Sequence, residues 1–367
     1  MQSLSTQHSP SLGAHASRWQ QRWQRVCRLL TGYSSLTTFA EPFIRWVRPH
    51  FVAGFTQARI LQIQPLPQGF LLRLKCASTI DFVPGQHIQL RILRDGRFID
   101  RVFTICSTPG QARRERVIEL AIREKANGSV SSWLKNGVCP GQAVWLGEVT
   151  GAFVWHGQKP ALMVAAGSGI TPFRAMLQSM SRLTHPVRLI YIVPKQQHVW
   201  FADEWLALQA KYPLLEVQIH DTQQRGRPSA AWLIEQAREH QADLYICGPA
   251  SLHQSLHEAW PTSLATCLYA ESFGLQSSGG VHQVHYQTMS GVNHKVEASG
   301  SLLQLAELAG LTVKYGCRRG VCMQCLCEKQ QGQVRNLVTG ELSTFGTEAI
   351  QLCISEAVSD VTLRLPS

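Results

Sequence analysis

Three cysteines in the run Tyr315-Gly316-Cys317-Arg318-Arg319-Gly320-Val321-Cys322-Met323-Gln324-Cys325 are separated by four and then two residues, and a fourth, Cys353, lies in Gln351-Leu352-Cys353-Ile354-Ser355. At this spacing a tight loop can wrap three thiolates around a pair of irons while a distant thiolate closes the set, which is the plant-type 2Fe–2S arrangement. Such a centre moves electrons singly. Gly316 and Gly320 suit the loop, which must take unusual dihedrals and bring backbone N–H groups close to bridging sulfides without intervening Cβ atoms. The same thiols could instead be free and buried in a reducing compartment, or hold zinc. Zinc ribbons, however, use two paired CxxC hooks, whereas this chain offers one loop of three and one remote partner. Cys327, two residues beyond Cys325, breaks the spacing and reads as a spare thiol.

Four further strings could hold phosphates or a planar ring. Arg101-Val102-Phe103-Thr104-Ile105-Cys106-Ser107 places a cation, an aromatic and hydroxyls along one strand and its exit. Strand alternation would put Arg101, Phe103 and Ile105 on one face and Thr104 on the other. Alone, a solvated strand with one buried Phe explains it better. Asn127-Gly128-Ser129-Val130-Ser131-Ser132-Trp133-Leu134 resembles a glycine turn leading to a Ser-capped helix, whose unpaired N–H groups and dipole favour a phosphate. Arg101 and this turn could clamp a diphosphate together. Ala165-Ala166-Gly167-Ser168-Gly169-Ile170-Thr171-Pro172 follows an apolar strand and precedes a helix predicted to begin at Pro172. Its glycines let a dinucleotide lie close to the backbone, although it is not GxGxxG. Cys247-Gly248-Pro249 ends a later strand, at the carboxyl edge where ligands of such sheets collect.

The elements that must position these residues change in texture along the chain. Residues 1–17 are rich in Ser, Gln and His and read as a disordered tail. From Arg18 to Leu30, Trp19, Trp23, Val26 and Leu30 recur at helical spacing beside a stripe of Arg18, Arg22 and Arg25. This is a basic amphipathic helix, suited either to packing its Trp face on the domain behind it or to lying on a membrane surface. Short strands at Ala58–Gln64, Phe70–Lys75, His87–Ile92 and Val117–Arg123, punctuated by Pro and Gly, predict a small antiparallel barrel. Beyond Lys159, strands at Ala161–Ala165, Val187–Val193, Leu214–His220 and Leu244–Cys247 alternate with helices, one of them near Ser229–His240. That alternation predicts a parallel α/β sheet. A polar break at Gln276–Gly280 sets off the cysteine-bearing segment. The expected division is 1–50, 51–155, 156–275 and 281–367.

At 367 residues the chain exceeds one ordinary core, so two or three domains are expected. The first seventeen residues are polar and no apolar signal region follows, and the longest uncharged apolar stretch, Pro160 to Phe173, is too short to span a bilayer. A cytoplasmic, reducing setting is expected, with residues 18–30 offering peripheral contact at the inner face of the cell membrane. The formal charge is +11; Lys plus Arg against Asp plus Glu is 6 against 1 in residues 1–50 and 13 against 7 in 51–155, and balanced thereafter. No nucleic-acid recognition motif accompanies this basic half, so no nucleic-acid partner is expected. A phosphate-bearing cofactor, anionic lipid or acidic protein surface suits the charge better.

Taken in order, these strings resemble the ferredoxin–NADP reductase superfamily, in its form with a C-terminal plant-type ferredoxin domain, from about residue 51 to the end. The resemblance implies a multidomain chain: an antiparallel β-barrel flavin domain, an α/β parallel-sheet nucleotide domain and an α+β ferredoxin domain of the β-grasp type. It implies that Arg101, Phe103, Thr104 and Ser107 match a flavin motif, with Arg101 on the phosphates, Phe103 flanking the ring and Thr104 near its reactive N5. Gly128, Ser129 and Ser131 fall where the family holds the diphosphate of FAD. Gly167, Ser168, Gly169, Thr171 and Pro172 match its nicotinamide loop, and Cys247, Gly248 and Pro249 its second nicotinamide signature. Glu271-Ser272-Phe273 resembles the end of the reductase module, where Phe273 would cover the flavin, and Cys247 would sit near the hydride path. Phe103 and Thr104 replace the commoner Tyr and Ser, and residues 1–50 match nothing in the pattern.

A nicotinamide gives two electrons at once and a 2Fe–2S cluster takes one, so a flavin between them is expected. The chemistry then asks for positioning and requires no general acid–base dyad. Lys195 after the second strand of the α/β sheet, and Arg225 and Arg227 after the third, favour NADPH over NADH. The expected acceptor is a separate iron-dependent protein, a membrane fatty-acid desaturase first and a soluble ring-hydroxylating oxygenase second, with Arg318 and Arg319 available to dock an acidic surface. A reductase of nitric oxide or ferric iron, and a non-catalytic redox or iron sensor, are the other readings.

Overall fold

The structure, a computed structural model, describes residues 40, 41, 43, 44, 46 and 51–365, apart from 95, 125–128, 262–264, 273–279, 289–292 and 321–322. The basic helix expected at 18–30 lies outside the described residues. Among the described residues no helix is long and apolar enough to cross a membrane.

Six strands come first: β1 (Thr56–Leu66), β2 (Gly69–Cys76), β3 (His87–Arg94), β4 (Arg97–Thr104), β5 (Val117–Arg123) and β6 (Ala143–Thr150), with helices α1 (Pro109–Glu115) and α2 (Ser129–Asn136) between the later ones. They form an antiparallel sheet in the order β4-β3-β6-β1-β2-β5. The two ends of that order meet where the chain leaves β4: Cys106 N–H donates to Glu119 O of β5 at 2.9 Å. Alternation turns Ile60, Phe70, Leu72, Leu74, Ile88, Leu90 and Leu120 into one buried core.

The second sheet is parallel, in the order β11-β10-β7-β8-β9, built from β7 (Ala161–Ala166), β8 (Val187–Val193), β9 (Leu215–Asp221), β10 (Asp243–Gly248) and β11 (Leu268–Ser272). Its interior strands read as unbroken apolar runs because helices can cover both faces. These are α3 (Ile170–Ser179), α4 (Ala202–Lys211), α5 (Thr222–Arg225), α6 (Ala230–Glu239) and α7 (Ala250–Ala259). From β7 the chain adds strands first on one side and later on the other, so a crevice opens between the carboxyl ends of β7 and β10. Helix α3 starts at Ile170, two residues before the expected Pro172: Gly167–Gly169 forms a 3₁₀ turn that runs directly into it. Proline is tolerated at the third position because the first helical N–H groups have no intrahelical partner.

The third unit has a mixed sheet, β13-β12-β18-β14-β16, from β12 (His282–Gln287), β13 (Asn293–Ala298), β14 (Leu326–Gln331), β16 (Glu348–Gln351) and β18 (Val361–Arg364), with the pair β15 (Val334–Asn336) and β17 (Ser355–Ala357) beside it. β12 and β18 run parallel, and the other pairs are antiparallel. Helix α8 (Leu302–Leu308) opens on a capping box between Ser301 and Gln304 and buries Leu302, Leu303, Leu305 and Ala306 in the core. Lys329 is wholly buried, yet its ammonium donates to the carbonyls of Gly332, Thr344 and Gly346 and pairs with Glu348, so its charge is satisfied while it staples the 332–348 loop.

Candidate functional site

Strand β4 ends on Thr104, paired in register with His87 of β3. Thr104 is buried and its hydroxyl has no hydrogen-bond partner within the protein. Leaving such a group unpaired costs about 1–3 kcal/mol, so the site fits a ligand with a polar edge, as a flavin ring has. Phe103 beside it is half-buried and packs against the barrel core. Ser107 is placed differently: it is fully buried and its hydroxyl accepts Glu119 N–H at 3.0 Å, tying the exit of β4 to β5. Arg101 turns one guanidinium nitrogen to Asp100 O at 2.7 Å and Gly316 O at 3.2 Å. Burial and the nearby Arg318 lower its pKa, an environment that a bound diphosphate would relieve. Helix α2 begins at Ser129, with Ser131 in its first turn; Gly128 and the side chain of Ser129 lie outside the described residues.

Across from this rim, the loops after β7 and β10 come into backbone contact. A Cβ added at Gly169 would stand 2.0 Å from Cys247 O, and one at Gly248 would stand 2.8 Å from Ala166 Cβ. Only glycine permits that approach. Thr171 donates its hydroxyl to Ser168 O at 3.0 Å, and Thr171 and Pro172 are buried in the first turn of α3. Gly167, Ser168, Gly169, Thr171, Pro172, Cys247, Gly248 and Pro249 are thus brought to one end of one sheet. Cys247 is wholly buried, and burial together with the charge of Glu271 pushes its thiol well above the ordinary range. Its sulfur lies 3.9 Å from one Glu271 oxygen, and the other Glu271 oxygen lies 3.2 Å from His87 Nδ1. A file of polar groups therefore runs from Cys247 through Glu271 to His87, the strand neighbour of Thr104. Phe273 lies outside the described residues.

The two sheets are fastened by Arg174 of α3. Its guanidinium donates to Glu119 of β5 at 2.7 Å, to Cys106 O at 3.0 Å and to both oxygens of Glu204 in α4 at 2.6 and 2.9 Å. The ring of Phe201 lies 4.4 Å beneath it. Glu119 also accepts from Arg73 at 3.1 Å.

In the cysteine loop, Cys317, Cys325 and Cys353 are 2%, 2% and 3% exposed, and Cys322 lies outside the described residues. The Cys353 thiol hydrogen-bonds to Cys325, which pulls Cys325 below the ordinary thiol range and pushes Cys353 above it. Arg319 N–H donates to Cys317 Sγ at 3.4 Å. Thiolates buried here would need countercharge and N–H donors; a pair of ferric ions would supply the first, and Arg319 N–H supplies one of the second. Among the described residues of the loop, Arg318, Gly320 and Met323 are left-handed, so side-chain-bearing residues share the strain with glycine. A Cβ at Gly320 would meet Ile354 Cδ1 at 2.7 Å. Cys327 is buried in the core of the third unit and donates to Arg364 O at 3.2 Å. Arg318, expected to dock a partner, is committed to Glu307 and stacked over Tyr315 at 4.2 Å.

Four residues that the sequence reading gave no role matter to this geometry: His87, Asp100, Arg174 and Gln324. His87 directly follows Pro84-Gly85-Gln86, a turn that marks the mouth of a strand; the contacts that matter for the other three carry no local signal, since Arg174 reaches Glu204 and Glu119 across 30 and 55 positions and Gln324 reaches Asp100 across 224.

Comparison with known proteins agrees. Residues 67–155 match the family "Oxidoreductase FAD-binding domain", 163–258 "Oxidoreductase NAD-binding domain" and 287–355 "2Fe-2S iron-sulfur cluster binding domain". The chain is 30% identical over 297 residues to an NADPH oxidoreductase of Mycobacterium tuberculosis H37Rv, covering 78% of this chain and 77% of that one. It is 26% identical over 326 residues to the phthalate 4,5-dioxygenase oxygenase reductase subunit of Pseudomonas putida, covering 84% and 96%. Its fold resembles that of a solved phthalate dioxygenase reductase, with a TM-score of 0.57 and 20% identity over 86% of this chain and 98% of that one.

Proposed function

We propose, from the premise that the chain belongs to the ferredoxin–NADP reductase superfamily in its FAD, NAD(P)H and 2Fe–2S form, that this oxidoreductase is the electron-supplying component of a separate iron-dependent oxygenase or desaturase. The observation that carries the reading is the position of β4. Its end, Thr104, pairs with His87, which reaches Glu271 beside Cys247, and Arg101 on the same strand touches the residue before Cys317. When bound, nicotinamide supplies a hydride, the flavin divides its electron pair and the cluster accepts the electrons one by one.

The residues supply position. Arg101 and the start of α2 hold the flavin's diphosphate, Phe103 walls the ring and Thr104 offers its unpaired hydroxyl to the ring edge. The Gly167–Pro172 turn and Cys247-Gly248-Pro249 seat the nicotinamide against it, with Phe273 covering the flavin in its absence. Cys317, Cys322, Cys325 and Cys353 hold the irons. Ser107 supports this site through Glu119 rather than through a ligand. The modules run 51–155, 156–275 and 281–367. A visible spectrum recorded before and after NADPH, with flavin and iron quantified, tests the assignment; colourless, iron-free protein contradicts it. Reduction of flavin followed by cluster also separates an enzyme from a redox sensor.

NADPH is the favoured coenzyme. Asp221, the acid that ends β9, spends its carboxylate on the N–H groups of Gln196, Gln223 and Gln224 at 2.9, 2.9 and 3.2 Å. That leaves Lys195, Arg225 and Arg227 exposed around the same corner, as a 2′-phosphate requires. Replacing Arg225 and Arg227 with Ala is expected to raise KM for NADPH about tenfold and leave KM for NADH unchanged. A hundred-fold preference of the native protein for NADH overturns this choice.

The acceptor class rests on the curated relative that is a reductase subunit of a dioxygenase. The narrower reading, a membrane fatty-acid desaturase met at the inner face of the cytoplasmic membrane, rests on the Arg/Trp pattern of residues 18–30 alone. Flotation with anionic vesicles, comparing the full chain with one lacking residues 1–50, tests it; equal binding counts against a membrane-bound acceptor.

A further inference from the structure

We propose that Asp100 and Gln324 form a latch that holds the cluster loop against the flavin-bearing strand, making both of them positioning residues for the electron's exit. The proposal rests on the functional reading above and adds no chemical step to it: one electron at a time leaves the flavin and reduces one ferric ion to ferrous, and no bond forms or breaks.

Asp100 is 2% exposed, and a carboxylate offers about four acceptor sites. The barrel fills three of them. Arg91 donates from Nε at 2.7 Å and from a terminal nitrogen at 2.8 Å, and Gln89 donates at 2.9 Å. Arg91 is itself fixed, with its guanidinium 3.9 Å from the ring centre of Phe55 and 5.3 Å from that of Phe98. Gln324 Nε2, from the residue between the second and third cluster cysteines, adds a longer contact at 3.3 Å to Oδ2, the oxygen that also takes Gln89 and the terminal nitrogen of Arg91. Next on the strand, Arg101 takes Gly316 O, from the residue before the first. Two neighbours of β4 thus grip the cluster loop near both of its ends. Thr104 lies three residues further along, about 10 Å at strand rise, so the same rigid strand sets how far the cluster stands from the flavin site.

The barrel's preparation of Asp100 argues that the contact serves position. The Arg91 cation neutralises the buried carboxylate and, with Gln89, gives it three N–H donors, so barrel stability does not require Gln324. The cluster domain has a core made wholly of its own residues and does not require it either. What Gln324 adds is registration between the two.

The test uses the full holoprotein and two variants, Gln324→Leu, which removes the donor, and Gln324→Glu, which sets a second carboxylate against Asp100. Three quantities are read: the rate of flavin reduction by NADPH, the rate at which the cluster is then reduced, and hydrogen–deuterium exchange of the backbone over 313–325. The expected result is flavin reduction within twofold of native, cluster reduction slowed about tenfold in the Glu variant and less in the Leu variant, and faster exchange over 313–325 in the same order. Unchanged cluster reduction overturns the latch, as does a slowdown without faster exchange, or an equal slowdown of both steps. Loss of iron from both variants also overturns it, because Gln324 then builds the cluster site instead of placing it. If native protein itself lacks flavin or iron, the functional reading fails; if native protein turns over and the variants match it, only the latch does.

Discussion

The barrel meets its two neighbours in opposite ways. Towards the nucleotide domain it shares one apolar core, in which Leu71, Cys106 and Ala121 pack with Phe173, Met176 and Tyr245, and it adds the buried ion pair of Arg174 with Glu119. Towards the ferredoxin domain it offers polar contacts, Arg101 to Gly316 and Asp100 to Gln324, while the cluster domain buries its apolar residues among themselves. The difference follows the chemistry each side must perform. Hydride transfer needs reacting atoms aligned closely, so the donor side is built as one body. Single electrons tolerate distance, and a domain that must also present its cluster to an external acceptor is held by contacts that can be released.

Breaking the comparison at its strongest point means removing the cluster. Cys353→Ser is expected to abolish electron delivery to an external acceptor such as cytochrome c, while NADPH still reduces the flavin at the native rate. Calorimetry should show the barrel–nucleotide transition unmoved, since the two cores share no residue. A large shift of that transition contradicts the separation.

Arg174→Met tests the other interface. It strands Glu119 beside Cys106 O with one cation fewer, and removing one partner of a buried pair typically costs about 3 kcal/mol or more. Urea unfolding of the holoprotein should lose about that much, with the flavin and nucleotide domains failing together. Less than about 1 kcal/mol would show that the ionic network is dispensable and the apolar core suffices. Gly169→Ala is expected to cost about 1–3 kcal/mol, because its methyl group meets Cys247 O in a backbone contact that cannot yield easily. The same substitution should raise KM for the coenzyme and leave cluster reduction from prereduced flavin unchanged.

The smallest effect should run in the opposite sense. Thr104→Val replaces an unpartnered buried hydroxyl with a methyl of the same shape, so the flavin-free protein should lose nothing and gain up to about 1 kcal/mol. Flavin affinity and the hydride rate should fall. A variant that is both less stable without flavin and unchanged with it would show that the hydroxyl serves folding.

What could be read without coordinates was local. The strands, the glycine loops and the cysteine spacing are short-range patterns fixed by alternation, by backbone access and by the reach of a thiolate. The barrel and the parallel sheet follow from them, whereas the mixed sheet of the third unit came only with the family resemblance. The contacts that join the domains could not be read, because a mid-helix arginine or a strand aspartate is most simply a solvated charge until its partners appear. Arg174 finds Glu119 across 55 positions and Gln324 finds Asp100 across 224. Lys329 shows the same limit within one domain: a charged residue at an inward strand position looks like an error in the pattern until three carbonyls of a later loop close over it. Ser107 shows a subtler one, since a motif match names a residue without saying which neighbour its hydroxyl faces.

The central claim is the order of electron flow, from nicotinamide through the barrel's flavin to the four-cysteine centre. Anaerobic rapid mixing of the holoprotein with NADPH, followed across the visible spectrum and by low-temperature EPR, tests it most directly. The account predicts loss of the flavin band first, then loss of the cluster absorbance with the appearance of a reduced 2Fe–2S signal. Cluster reduction that precedes flavin reduction, or that proceeds in flavin-free protein, contradicts it.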